Sequence, residues 1–150
     1  MLRSKRLEVV LALEQRRESE TLEHMTRARQ QVQQHQQRLD ELRQYQVDYR
    51  AQMRNSQQGV ISVSRLQGWQ AFIAQLDQVI LQQERQVARA TEVLDKRRQD
   101  WREVYERRQG MARHIDACRT QEQRAADSRD QKQQDEAAGR AHARRRLKSK

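Results

Sequence analysis

Proline is absent from this 150-residue chain, and glycine occurs only four times. Few residues are therefore present that would interrupt a helix. Aromatic residues make up 4% of the chain and apolar residues 35%, which is too little to cover a thick core. The composition argues against a globular domain and favours long helices with one apolar stripe. Intrinsic disorder is the alternative for so polar a chain, above all for its last thirty residues.

The chain has a single cysteine, so no intramolecular disulfide is possible and nothing indicates an oxidising compartment. Its N-terminal apolar stretch, residues 9–13, has five residues and is followed by charges, which predicts no signal peptide. No segment approaches the ~20 apolar residues that span a bilayer. We therefore expect a cytoplasmic protein, peripheral to the inner membrane only when it is attached to a membrane-bound machine.

What the chain does have is an apolar seam with heptad spacing between Leu66 and Cys118. Two rows repeating every seven residues form one narrow stripe of a helix, which must be buried against another helix. The first row is Leu66, Ile73, Ile80, Val87, Leu94, Trp101, Arg108 and Ile115. The second row is Trp69, Leu76, Gln83, Ala90, Arg97, Val104, Met111 and Cys118.

An earlier segment repeats the pattern more weakly. One row contains Leu11, Glu18, Met25, Val32, Leu39, Gln46 and Met53, and the other contains Leu7, Glu14, Thr21, Ala28, His35, Leu42 and Tyr49. The stretch between the segments has Gly59, β-branched residues, and Ser62 or Ser64 as helix N-caps. The sequence thus predicts an all-α fold, a long two-helix antiparallel coiled-coil hairpin over residues 1–138. Helix 1 covers about 4–55, the turn about 56–64, and the longer helix 2 about 65–138, before a basic flexible tail at 139–150.

Pairing about this turn places residue i near residue 120 − i, so Leu7 should lie opposite residues 112–115. Beyond Cys118 the apolar seam stops, and helix 2 should extend past helix 1 by about twenty residues at ~1.5 Å each. The net charge is +10, and six of the excess positive charges lie in the acid-free residues 139–150. Such a tail binds nucleic acid, anionic lipid or an acidic protein groove, or is a solvated terminus.

Some apolar residues lie beside the seam near the turn, among them Phe72, Val79 and Tyr45. They either widen the hairpin seam locally or form a patch that docks a partner.

Nothing in the sequence indicates catalysis, a metal or a cofactor. The four histidines, His24, His35, His114 and His142, have no companions at metal-ligand spacing, and His35 occupies a seam position. Cys118 is most simply a small core residue. No phosphate loop or nucleophile motif is present, so we expect a protein without enzymatic activity.

Four segments match the motifs of one known protein family. Tyr45, Gln46, Tyr49 and Arg50 match a YQ-x-x-Y-R signature, and Trp69–Asp77 matches an aromatic-Gln-x-Phe-Ile run. Trp101-Arg102-Glu103 and Arg129–Glu136 match W-R-E and D-Q-K-x-x-D-E segments. The motifs follow the order of the flagellar FliJ family over essentially the whole chain, and the sequence therefore resembles that family.

This resemblance implies a stalk of the flagellar type III export apparatus, which supports flagellum assembly and motility. Its partners would be the hexameric export ATPase (FliI-like), the gate protein (FlhA-like), the ATPase regulator (FliH-like) and export chaperones. It implies no specific nucleic acid and a monomer when alone. The gate-contacting face falls on Phe72, Leu76, Val79 and Gln83, of which the last two depart from the family's Ala and His. A second surface near the turn comprises Leu42, Tyr45 and Tyr49, and the ATPase-ring contacts comprise Arg129, Asp130, Lys132, Asp135 and Glu136.

Three alternatives stay open from the sequence. One is the YscO-like stalk of an injectisome, which shares the architecture. Another is a basic coiled coil that binds nucleic acid without specificity and with strong salt dependence. The third is a homodimeric coiled coil with Cys118 as an intermolecular crosslink.

Overall fold

The computed structural model describes residues 2–56, 59 and 61–149. Two helices, α1 (Arg3–Ser56) and α2 (Val63–Lys148), pack against each other as a hairpin, and the described residues contain no strand. The predicted all-α hairpin with a longer second helix is therefore confirmed. Part of the predicted turn, residues 57, 58 and 60, lies outside the described residues, as do the two chain termini, Met1 and Lys150.

Ser62 caps the N-terminus of α2. Its hydroxyl accepts a hydrogen bond from the Arg65 amide (3.2 Å), and its carbonyl accepts one from the Leu66 amide (3.1 Å). This is the N-cap arrangement, in which a short polar side chain satisfies an amide of the first turn that lacks a helical partner. Of the two serines that the sequence offered as caps, the structure uses Ser62.

One structural unit, Ser19–Glu103, contains the half of the hairpin next to the turn; we call it the turn unit. Two buried clusters hold its helices together. The first is formed by Leu39, Leu42, Leu76 and Ile80, and the second by Met25, Ala28 and Leu94. Phe72 and Val87 pack against the first cluster, and Val32 and Trp101 against the second.

The other unit, which we call the terminal unit, combines α1 up to Glu18 with α2 from Val104 onward. Its buried apolar residues are Val104, Ile115 and Cys118. Polar pairs complete its seam: Ser4 bonds Glu122, Glu8 pairs with Arg119, and Glu18 pairs with Arg108. This unit therefore has fewer buried apolar residues than the turn unit.

These three polar pairs join positions six or seven residues beyond the predicted 120 − i. Helical side chains lean toward the N-terminus of their own helix. In an antiparallel pair the side chains of α1 and α2 therefore lean in opposite directions along the hairpin. A long side chain of α1 then meets the side chain of an α2 residue that lies farther from the turn. Glu8 consequently reaches Arg119, whereas the predicted position opposite it is residue 112.

The helix α2 continues ten residues past its predicted end at about residue 138. Gly139 does not end it, because the alanines and arginines around it favour helix. Residues 139–148, which we expected in a tail, are thus part of α2, and their expected flexibility stays a prediction. Across the described chain, no helix has a stretch long and apolar enough to cross a membrane.

Candidate functional site

The two predicted surfaces near the turn meet in one aromatic cluster. The Tyr49 and Phe72 rings lie 4.4 Å apart between centroids, and Tyr45 lies 6.2 Å from Phe72 and 6.5 Å from Tyr49. Tyr45 is exposed, while Tyr49 and Phe72 are half-buried. The sequence placed these residues on separate helices, and the hairpin brings them to one side of the first core cluster.

An open groove of about 780 Å³ continues from this cluster along α2. Phe72, Gln75 and Val79 line it, together with the small residues Ala71 and Ala74. Val79 is 43% exposed and is free to contact a partner. We call Tyr45, Tyr49, Phe72 and Val79 the turn patch. Exposed apolar surface bordered by glutamines is typical of a protein-binding site.

Three of the residues predicted for these surfaces are turned into the hairpin. Leu42 and Leu76 are buried members of the first core cluster. Gln83 is half-buried, and its side-chain amide donates to the His35 carbonyl (2.9 Å) and lies 3.3 Å from the His35 Nδ1. A partner that binds here without opening the hairpin therefore contacts Phe72 and Val79 more readily than Leu42, Leu76 or Gln83.

All five residues predicted to contact the ATPase ring are exposed on α2. They are Arg129, Asp130, Lys132, Asp135 and Glu136. Beyond Ala126, which is half-buried, every described side chain is exposed to the end of α2 at Lys148, and Ser149 is exposed as well. We call residues 127–149 the overhang. Its mixed charges make no ion pair within the described part of the chain, so they are available to charged groups of another protein.

The paired part of the terminal unit ends at Ser4 and Glu122. Glu122 accepts hydrogen bonds from the Ser4 amide (3.0 Å) and the Ser4 hydroxyl (2.7 Å). Ser4 lies in the first turn of α1, where amides lack helical partners and negative charge is favoured. The Ser4 hydroxyl, with a further contribution from its amide, lowers the pKa of the Glu122 carboxyl below its usual value. A carboxylate of α2 thus caps α1 across the seam.

Deeper in this unit, Arg108 and Glu18 form a two-pronged ion pair within the seam. The Arg108 Nε donates to Glu18 at 2.7 Å and its second nitrogen at 3.3 Å, and the guanidinium lies 5.1 Å from the Tyr105 ring centroid. The hydrogen bond to Glu18 raises the pKa of Arg108 above its ordinary value. Both residues were polar interruptions of the heptad rows, and the structure pairs them. A charged layer of this kind favours one register of the two helices.

In residues 2–56, 59 and 61–149, no three His, Cys, Asp or Glu side chains come together as they would around a metal ion. Cys118 is buried, with its sulfur 3.9 Å from the His114 Nε2, in the core position that its heptad predicted.

Sequence reasoning passed over one exposed set of residues. Val9 and Leu13 lie outside both heptad rows and are exposed on α1. Their spacing of four residues is the signal that places them on a common helix face.

The family comparison matches the chain from residue 4 to residue 147 with the model described as the flagellar FliJ protein. Comparison with curated proteins found no match, and comparison with solved structures found none either. Since the matched range is nearly the whole chain, the chain belongs to the flagellar FliJ family, and the resemblance predicted from its motifs is confirmed. Membership assigns it to flagellar type III protein export.

Proposed function

We propose that this FliJ-family chain is a coupling stalk, which inserts the terminal unit into the ring of the export ATPase and presents the turn patch to the export gate. The observation that carries the proposal is the overhang. Helix α2 continues to Lys148, and every described side chain of residues 127–149 is exposed. Most helical stability in proteins comes from tertiary packing, and these exposed side chains make none within the described chain, which favours a binding partner around them.

The overhang carries exposed charges of both signs, which can pair with charged loops of the ring. Arg129 and Lys132 offer donors, and Asp130, Asp135 and Glu136 offer acceptors. A stalk that binds the assembled ring more tightly than the separate subunits stabilises the hexamer by mass action. An asymmetric stalk also contacts each subunit differently, so it favours different conformations around the ring.

The turn patch is the surface we assign to the gate. It combines aromatic rings with an exposed valine beside a groove, the composition of a binding hot spot. Contacts with the ATPase regulator and with export chaperones, and a peripheral position at the inner membrane, belong to the same proposal through the family. The match is to the flagellar family, which favours this apparatus over the injectisome counterpart.

Substitution at Val79 tests the gate assignment. Val79→Asp should weaken binding to the cytoplasmic domain of the gate protein by about 10- to 100-fold, the effect of losing a hot-spot contact worth about 1–3 kcal/mol. Phe72→Ala should weaken it as well. Phe72 also packs on the core, so Val79 is the cleaner probe. Affinity is measured by titration calorimetry, and helical content by circular dichroism.

Val93→Asp is the matched control. Val93 lies two heptads after Val79 at the same heptad position, and it is exposed to a similar degree, 51% against 43%. It should leave gate affinity unchanged. Equal affinities for the Val79 and Val93 variants would remove the turn patch from the proposal.

A further inference from the structure

A second groove lies between the two helices in the middle of the turn unit. Its floor is formed by Ala28 of α1, which is buried, and Ala90 of α2, which is half-buried. Alanine on both helices leaves open the space that leucine and isoleucine fill in the first core cluster. The groove has a volume of about 230 Å³, and Gln31, Gln86 and Val93 line its sides. We call it the middle groove.

Val93 gives the middle groove an apolar contact that the hairpin leaves uncovered. It is 51% exposed and lies three residues after Ala90, about one helical turn. An aliphatic side chain of a partner can cover Val93 and enter the space above the two alanines. The groove therefore has the shape and the apolar surface to take a side chain from outside the hairpin.

Positive charge surrounds the middle groove on its own side of the seam. Residues that directly precede a seam residue lie on this side, as Gln31, Gln86 and Val93 do. Over residues 24–38 and 82–96 all such side chains are exposed, and they include four cations and no acid. They are His24, Arg27, Gln31, Gln34, Arg38, Gln82, Gln86, Arg89, Val93 and Lys96.

The two cations on α2 are available to a partner. Arg89 lines the middle groove, and Lys96 follows it by one heptad. Across the part of the chain that the structure describes, neither makes an ion pair. On α1, Arg27 pairs with Glu23, and Arg38 lies 4.0 Å from a carboxylate oxygen of Glu41.

The rest of the surface at this level has no such excess of positive charge. On the opposite side of the seam, over the same residues, Glu84 and Asp95 outnumber the single cation Arg29. On the outward side of α2, Arg85 and Glu92 balance each other. The positive margin is therefore specific to the side of the hairpin that has the groove.

This combination selects the occupant. The chain carries a net charge of +10, so a second copy is repelled. A single-stranded nucleic acid stacks its bases on aromatic side chains, and none of the ten residues around the middle groove is aromatic. The occupant that fits carries both negative charge and aliphatic side chains.

We propose that the middle groove binds an acidic amphipathic helix of a partner protein. Such a helix lays its aliphatic residues in a groove at spacings of three, four and seven residues. Here they cover Val93 and the alanine floor, while flanking carboxylates pair with Arg89 and Lys96. The acid-free stretch is about 21 Å long, or four helical turns. This site goes beyond the ring and gate contacts, because it lies outside the overhang and two heptads from Val79.

A designed helical peptide tests the proposal by fluorescence anisotropy with the full chain. The probe has about eighteen residues, with leucines at helical spacing on one face, glutamates beside them, and a hydrocarbon staple on its outer face. It should bind saturably. The same peptide with serine in place of leucine should bind at least tenfold more weakly at unchanged charge, and lysine in place of glutamate should abolish binding.

Variants of the chain locate the site. Val93→Asp and Arg89→Glu/Lys96→Glu should each weaken peptide binding at least tenfold, and all three side chains are exposed, so the fold should persist. The matched controls are Val47→Asp and Arg29→Glu/Arg102→Glu. Each changes the net charge by the same amount on the opposite side of the seam and should stay within about threefold of the unaltered chain.

Three results would overturn the proposal. The first is no saturable binding of the acidic peptide. The second is equal binding of the serine peptide or of a short DNA duplex, or equal loss in the variants and their controls, which would mean attraction by charge alone. The third is loss of gate affinity in Val93→Asp together with loss of peptide binding, which would make the middle groove part of the gate surface.

Discussion

The contact between Glu122 and Ser4 makes the stability of the terminal unit depend on pH. The Glu122 pKa is lower in the folded chain than its usual 4.5, so the folded state favours the carboxylate. The stabilisation is therefore complete above the unfolded pKa and is lost as the pH falls through the lowered folded value. Glu122→Gln should lower the midpoint of thermal unfolding at pH 7, and the difference from the unaltered chain should vanish toward pH 3.

Glu106→Gln provides the control, because Glu106 is exposed on the same helix and has no ion pair within the described residues. Its midpoint should follow that of the unaltered chain throughout the titration, as recorded by circular dichroism. A Glu122→Gln difference of the same size at pH 7 and pH 3 would show that the carboxylate charge is not what caps α1.

Three seam residues show what the sequence alone could not predict. Leu76 belongs both to the heptad seam and to the family's gate-contacting face, and only the packing shows that it is buried. The heptad rows placed Glu18 and Arg108 on the seam as interruptions, but their pairing depends on the register between helices that are 90 residues apart in sequence. A heptad pattern predicts on which face of its helix a residue lies. It does not predict which residue of the other helix that residue contacts.

At the scale of the helices, the overhang should exchange its amide hydrogens rapidly. Residues 127–149 have no buried side chain, whereas residues 104–118 include Val104, Ile115 and Cys118 in the core. Hydrogen–deuterium exchange should be about a hundredfold or more faster in the overhang, because local opening there breaks no tertiary contact. Equal protection of the two segments would show that the overhang does not need a partner for its stability.

The helices themselves were largely predictable. Nearly every position of the heptad rows is buried or half-buried, because one period of seven residues determines which face a long helix must hide. The exceptions are Leu66, in the first turn of α2, and the charged Arg97, both of which are exposed. The end of α2 was not predictable, since a single glycine lowers helix stability by only about 1 kcal/mol and neighbours decide the outcome.

For the whole molecule, the two structural units carry different surfaces. The turn patch belongs to the turn unit, and the overhang belongs to the terminal unit. A coupling protein needs both surfaces in one chain. Substitutions that remove one surface should leave the other intact. The sequence located both surfaces by motif, but it did not reveal that Val9 and Leu13 are exposed on α1, because neither residue follows a heptad row.

The central claim is that the overhang acts on the export ATPase while the turn patch acts elsewhere. A chain ending at Ala126 keeps the contact between Ser4 and Glu122, so its paired helices should stay folded. The deciding measurement is the activity of the cognate export ATPase alone, with the full chain, and with the chain ending at Ala126. We predict stimulation by the full chain only, with gate affinity the same for both chains. Equal stimulation by the two chains would contradict the account.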